Sequence, residues 1–157
     1  MTLKVGDKVP DISLPDQNGK ERKLSDYQKK YLLLYFYPKD FTFGCTKEAC
    51  NFRDSFHNFN PNVITVIGVS TDSVESHKKF VDEYSLPFSL LADTEKKMVQ
   101  AFGVWQPKKI FGKEIVGTVR TSFLIDPKGV IAKVYERVNP LAHAGEVEKD
   151  LQSLAKL

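Results

Sequence analysis

The run Tyr31-Leu32-Leu33-Leu34-Tyr35-Phe36-Tyr37, closed by Pro38, constrains this chain more than any other stretch. It is apolar without polar alternation, which marks a strand buried on both faces, as in a parallel sheet. Parallel strands need crossovers, and amphipathic helices supply them here. Cys45, Ala49, Phe52, Phe56 and Phe59 recur at i+4 and i+3 steps, so they share one stripe of a helix that Asn60-Pro61-Asn62 ends. Val63 to Val69 is a second apolar, β-branched strand. Val74, His77, Phe80, Val81 and Tyr84 follow helical spacing after Asp72 and Glu75, which are spaced as a capping box. Leu86-Pro87-Phe88 breaks that helix, and Ser89 to Ala92 is a short strand. Asp93 caps a helix bearing Met98, Val99 and Phe102 that stops at Gly103.

The flanks complete the layout. Leu3 to Pro15 reads as extended, and Asp16-Gln17-Asn18-Gly19 as the turn of an N-terminal hairpin. Val104 to Gly117 reads as a long connection. Thr118 to Ile125, the turn Asp126-Pro127-Lys128-Gly129, and Val130 to Tyr135 form a β-hairpin. Leu141, Ala144, Val147, Leu151 and Leu154 make a final amphipathic helix. The expected class is α/β, a mixed central sheet flanked by helices, folded as one domain over residues 1–157. Ligands in such sheets gather beyond the C-terminal ends of the strands, where Cys45 lies.

A net charge of +3 gives no case for nucleic acid, and the pairs Lys29-Lys30, Lys78-Lys79 and Lys108-Lys109 read as solvated surface. No apolar run approaches the ~20 residues of a membrane span. Met1-Thr2-Leu3-Lys4 lacks the apolar core of a secretory signal, so a cytoplasmic setting is expected. In that compartment two close cysteines are redox-active or metal-binding more often than structural.

Cys45 and Cys50 are the only cysteines, five residues apart on the predicted helix. Five residues advance ~7.5 Å and turn by ~140° relative to one another. A disulfide needs Cα atoms within ~7 Å and converging Cβ vectors, so the two sulfurs bond only if the helix start unwinds. A two-state device follows, helix intact or first turn melted; the plainer alternative makes Cys50 a small core residue. A helix N-terminus favours thiolate over thiol. Around Cys45, Thr42 offers a hydroxyl to cap the helix or bond the sulfur, Gly44 lets a ligand approach the backbone, and Pro38 fixes the turn and shields one side. Thiolate attack on a peroxide leaves sulfenic acid, and a second thiol condenses with it to a disulfide.

The run Pro38-x-x-x-Thr42-x-x-Cys45-Thr46, with Cys50 following, resembles the active-site motif of peroxiredoxins of the PrxQ, or bacterioferritin comigratory protein, group. The resemblance extends through Gly6, Pro10-Asp11, Leu14-Pro15-Asp16 and Gly19 to Gly68-Val69-Ser70-Thr71-Asp72, Phe102-Gly103-Val104-Trp105 and the stretch from Arg120 to Gly129. It implies a thioredoxin-like fold and a thiol-dependent peroxidase acting on hydrogen peroxide and alkyl hydroperoxides, with no metal or organic cofactor. It makes Cys45 the peroxidatic and Cys50 the resolving cysteine, with Thr42 bonding the peroxide and Arg120 holding the thiolate. It also makes Glu48 a support for that arginine and thioredoxin or a similar dithiol protein the reductant. The expected assembly is a monomer.

Phe43 stands where the group commonly has proline, to wall the pocket or alter unwinding of the helix start. Val119-Arg120-Thr121 and the C-x4-C spacing speak against a disulfide reductase. That reductase, and a metal carrier using both cysteines and a histidine, are the rival readings. His57 is expected on a solvated face, a catalytic Cys–His pair being the alternative, His77 in the core, and His143 in a loop or at a helix start with no evident partner. Trp105 and Phe102 are expected as core or pocket wall, and Arg120 begins a strand.

Overall fold

The structure is a computed structural model that describes residues 2–55 and 63–155. Its elements in chain order are β1 (Ser13–Pro15), β2 (Glu21–Lys23), a 3-10 turn (Leu24–Tyr27), β3 (Tyr31–Phe36), α1 (Phe43–Ser55), β4 (Ile64–Ser70) and α2 (Val74–Tyr84). They continue with β5 (Ser89–Ala92), α3 (Lys97–Ala101), β6 (Trp105–Ile110), β7 (Lys113–Thr118), β8 (Thr121–Ile125), β9 (Ile131–Tyr135) and α4 (His143–Ala155). The expectations for Phe56, His57, Phe59 and residues 60–62 lie outside the described residues.

β3 is the middle of a five-stranded sheet ordered β5-β4-β3-β8-β9. It pairs parallel with β4 and antiparallel with β8, so the sheet is mixed as expected. Leu32, Leu34 and Phe36 point to one face, among Met98, Val99, Phe102 and Phe123. Leu33, Tyr35 and Tyr37 point to the other, among Ala49, Phe52, Phe80 and Val147. Burial on both faces explains the absence of alternation, each large side chain contributing ~2 kcal/mol by leaving water. Helices α1, α2 and α4 cover one face, while α3, the 3-10 turn and the N-terminal segment cover the other. Gly68 sits opposite Tyr35 in the β3–β4 register, where a Cβ would come within 2.8 Å of the tyrosine ring.

Several local expectations are corrected. The connection from Val104 to Gly117 is largely a hairpin, β6–β7, with Ile110 paired to Lys113. Its two-residue turn is Phe111-Gly112, at φ +52° and +79°. Hairpins of this kind favour Asn-Gly or Asp-Gly, and Pro107 inside the strand further masked it. Ser73, not Asp72, caps α2, accepting from Ser76 N at 3.1 Å. Asp72 instead accepts from Ser70 Oγ and from the backbone of Asp40. Leu141 precedes α4 and is exposed, while Ala144, Val147 and Leu151 are buried as expected. Arg120 lies one residue before β8. Asp93 does cap α3, its carboxylate accepting from the N–H groups of Lys97, Met98 and Val99. No helix among the described residues is long and apolar enough to cross a membrane.

Candidate active site

α1 begins just beyond the C-terminal end of β3, and its first intrahelical bond runs from Thr46 N to Thr42 O at 2.8 Å. Cys45 therefore lies in the first turn, where backbone N–H groups have no partner one turn back. Its side chain is turned into the core, 1% exposed, beside Tyr35 and Ala49. Arg120, from the segment leading into β8, reaches the same point. Nη2 donates to Cys45 Sγ at 3.2 Å, and Nη1 donates to Glu48 Oε1 at 2.7 Å. Gly44 makes room for this: a Cβ there would lie 3.3 Å from Arg120 Nη2.

Glu48 is one turn along α1 from Cys45, and its side chain is fully buried. Burial pushes its carboxyl up to about 7, against the pull of the Arg120 charge and hydrogen bond. Its second oxygen, Oε2, has no hydrogen-bond partner among the described residues.

The other predicted site residues fall around this centre. Pro38 and Arg120 line a cavity of about 330 Å³ together with Lys108, Thr118, Val119, Arg137 and Val138. Thr42 is exposed; its hydroxyl donates to Lys39 O at 2.8 Å rather than to the sulfur. Phe43 does not wall the pocket: it is 76% exposed, with Lys47 Nζ over its ring. Cys50 is half-buried on the same continuous helix, and both thiols are free.

Three features were not legible in the sequence. The loop between Pro38 and Thr42 is pinned by Asp40, whose carboxylate accepts from Tyr37 Oη (2.6 Å) and Ser76 Oγ (2.8 Å) and pairs with His77 Nδ1 (2.7 Å). His77 Nε2 faces Leu91 O at 2.9 Å and therefore carries a proton, since a carbonyl only accepts. Ligand atoms of Asp40, Asp72 and His77 lie within 4.8 Å of one another, but hydroxyl, N–H and imidazole groups of the loop and α2 already engage them. They tie the loop to α2. His143, expected without a partner, is buried between Ser122 Oγ at 2.7 Å and Glu146 Oε1 at 3.0 Å. Burial holds it below the usual imidazole range, and the nearby Arg120 charge adds to this against Glu146. Lys108, expected on the surface, is half-buried, and its Nζ donates to Thr118 O at 2.9 Å. Burial lowers its ammonium from the usual range, and the Arg120 charge adds to the effect.

Residues 5–134 match the AhpC/TSA family. The chain is 47% identical to peroxiredoxin Bcp of Bacillus subtilis over 99% of both chains, and 42% identical to peroxiredoxin Bcp of Escherichia coli over 85% of this chain and 86% of that one. The chain belongs to the AhpC/TSA family, in its Bcp/PrxQ group of peroxiredoxins. Among solved structures, a cysteine-to-serine mutant of Xylella fastidiosa PrxQ superposes with a TM-score of 0.93 at 33% identity, over 99% of both chains. A trapped-intermediate and ligand-complex structure of the Xanthomonas campestris bacterioferritin comigratory protein superposes with a TM-score of 0.87 at 30% identity, over 95% of this chain and 99% of that one. This peroxiredoxin has the thioredoxin-like fold that the resemblance implied, with helices on both faces of a mixed sheet. Its group consists of thiol-dependent peroxidases, and both of its cysteines are free thiols.

Proposed function

We propose that this peroxiredoxin reduces hydrogen peroxide and alkyl hydroperoxides through a Cys45 sulfenic acid and a Cys45–Cys50 disulfide. The observation that carries the reading is the Arg120 guanidinium donating to Cys45 Sγ in the first turn of a helix that also bears Cys50. The Cys45 thiolate attacks one oxygen of the O–O bond. The bond breaks, the alkoxide or hydroxide leaves and takes a proton, and sulfur is oxidised by two electrons to S–OH. Arg120 balances charge on the sulfur and on the leaving oxygen. The proton of Thr42 is committed to Lys39 O, so its oxygen is free to accept the O–H of a hydroperoxide. Pro38 shields the mouth of the site, and Glu48 holds the plane of the guanidinium.

Resolution then requires the start of α1 to unwind, since an intact helix holds sulfurs five residues apart out of bonding geometry. Cys50 attacks the sulfenic sulfur and expels its oxygen as water. An external dithiol such as thioredoxin reduces the disulfide. The two helix states differ by only a few kcal/mol, or turnover would stall. A cytoplasmic monomer folded as one domain is part of this reading.

Stopped-flow mixing of reduced protein with one equivalent of hydroperoxide tests it. Two thiols should be lost per peroxide consumed, and Cys45→Ser should consume none. Cys50→Ser should stop after one oxidation, with the added oxygen visible by mass. Normal thioredoxin-linked turnover by Cys50→Ser removes the resolving role. Insulin reduction without peroxide consumption favours the reductase, and stoichiometric copper or zinc favours the metal carrier.

A further inference from the structure

The cavity lined by Arg120 carries two more cations, Lys108 and Arg137, and no carboxylate lines it among the described residues. Its remaining walls include Pro38 and Val138, which are apolar, and Thr118. Lys108 spends one of its three N–H donors on Thr118 O and stands in a partly desolvated position near a second cation. Cations gathered along one cavity wall are stabilised by an anion placed between them. Arg120 belongs both to this cavity and to the sulfur, so an anion held here lies next to the reacting centre.

We infer that Lys108 and Arg137 form a subsite for the carboxylate of an organic hydroperoxide, and that this peroxiredoxin prefers small carboxylate-bearing hydroperoxides over neutral ones of the same shape. The inference rests on the peroxidase reading above. A cavity of about 330 Å³ suits a small molecule rather than a peptide segment. The β6–β7 hairpin supplies Lys108, so it acts as the specificity element of the site.

The test compares kcat/KM for cumene hydroperoxide and for its para-carboxylated analogue. The wild type should favour the carboxylated substrate about tenfold at low ionic strength, the worth of one charge-assisted hydrogen bond. Added salt should shrink that ratio, because one exposed and one half-buried cation supply the attraction. Lys108→Gln should bring the ratio close to one, and Lys108→Arg should retain it. A wild-type ratio at or below one, or a ratio unmoved by Lys108→Gln, overturns the inference while the peroxidase reading stands. If neither hydroperoxide oxidises Cys45, both fall. Should Lys108→Gln fail to fold, the salt dependence of the wild-type ratio decides: a ratio independent of salt overturns the inference.

Discussion

Arg120 Nη1 lies 2.7 Å from Glu48 Oε1, and this pairing fixes the plane of a guanidinium whose other nitrogen reaches Cys45. One planar fork serves a carboxylate and a sulfur at once, which a single ammonium does not reproduce. Arg120→Lys should therefore slow oxidation of Cys45 by peroxide about 10- to 100-fold, the loss of one hydrogen bond to a charged group. Rapid-mixing kinetics under single-turnover conditions would read this. An unchanged rate would mean that the fork is structural.

Glu48 makes stability depend on pH. Its carboxyl is held at about 7 in the folded chain, against 4.5 as the ordinary value. The folded state thus binds the proton more tightly, and the stabilisation is fully present below 4.5 and lost as pH rises through about 7. Glu48→Gln should flatten the fall in unfolding free energy across that window. Urea titrations at several pH values would show it, and an equally steep fall in the variant would count against a charged, buried Glu48.

Gly68→Ala should destabilise the sheet. The new methyl would overlap the Tyr35 ring and Leu90, both buried, so neither can step aside into solvent. Overpacking of this kind costs ~1–3 kcal/mol. A change within about 0.5 kcal/mol by chemical denaturation would show that the core relaxes around it.

Asp40→Asn removes the charge that gathers Tyr37, Ser76 and His77 while keeping the size of the side chain. The buried pairing should lose about 3 kcal/mol of stability. The loop preceding α1 should also exchange its amide hydrogens faster, because Phe41, at φ +65° against Phe80, then loses the carboxylate anchor beside it and keeps ring packing and the Asp40 N–H bond to Asp72. Unaltered exchange in the 38–42 segment would show that the loop does not depend on this anchor.

The sequence by itself determined the parts whose information is local. The unalternated run of β3, the steps from Cys45 through Ala49 to Phe52 in α1, those of α2, the short β5 and the cap at Asp93 all stand where the pattern put them. Cys45 at a helix start came from the same patterns, and Arg120 was legible only through resemblance. What neighbouring residues do not encode, tertiary structure decided. The Glu48–Arg120 pair spans 72 residues, Asp40–His77 spans 37, and Ser122–His143 spans 21. Such partners meet only because β8 docks antiparallel on β3 and because α2 and α4 share one face of the sheet. The hairpin that carries Lys108 to the cavity was hidden for a related reason: its Phe-Gly turn and Pro107 give a weak local signal, and cross-strand pairing completes it.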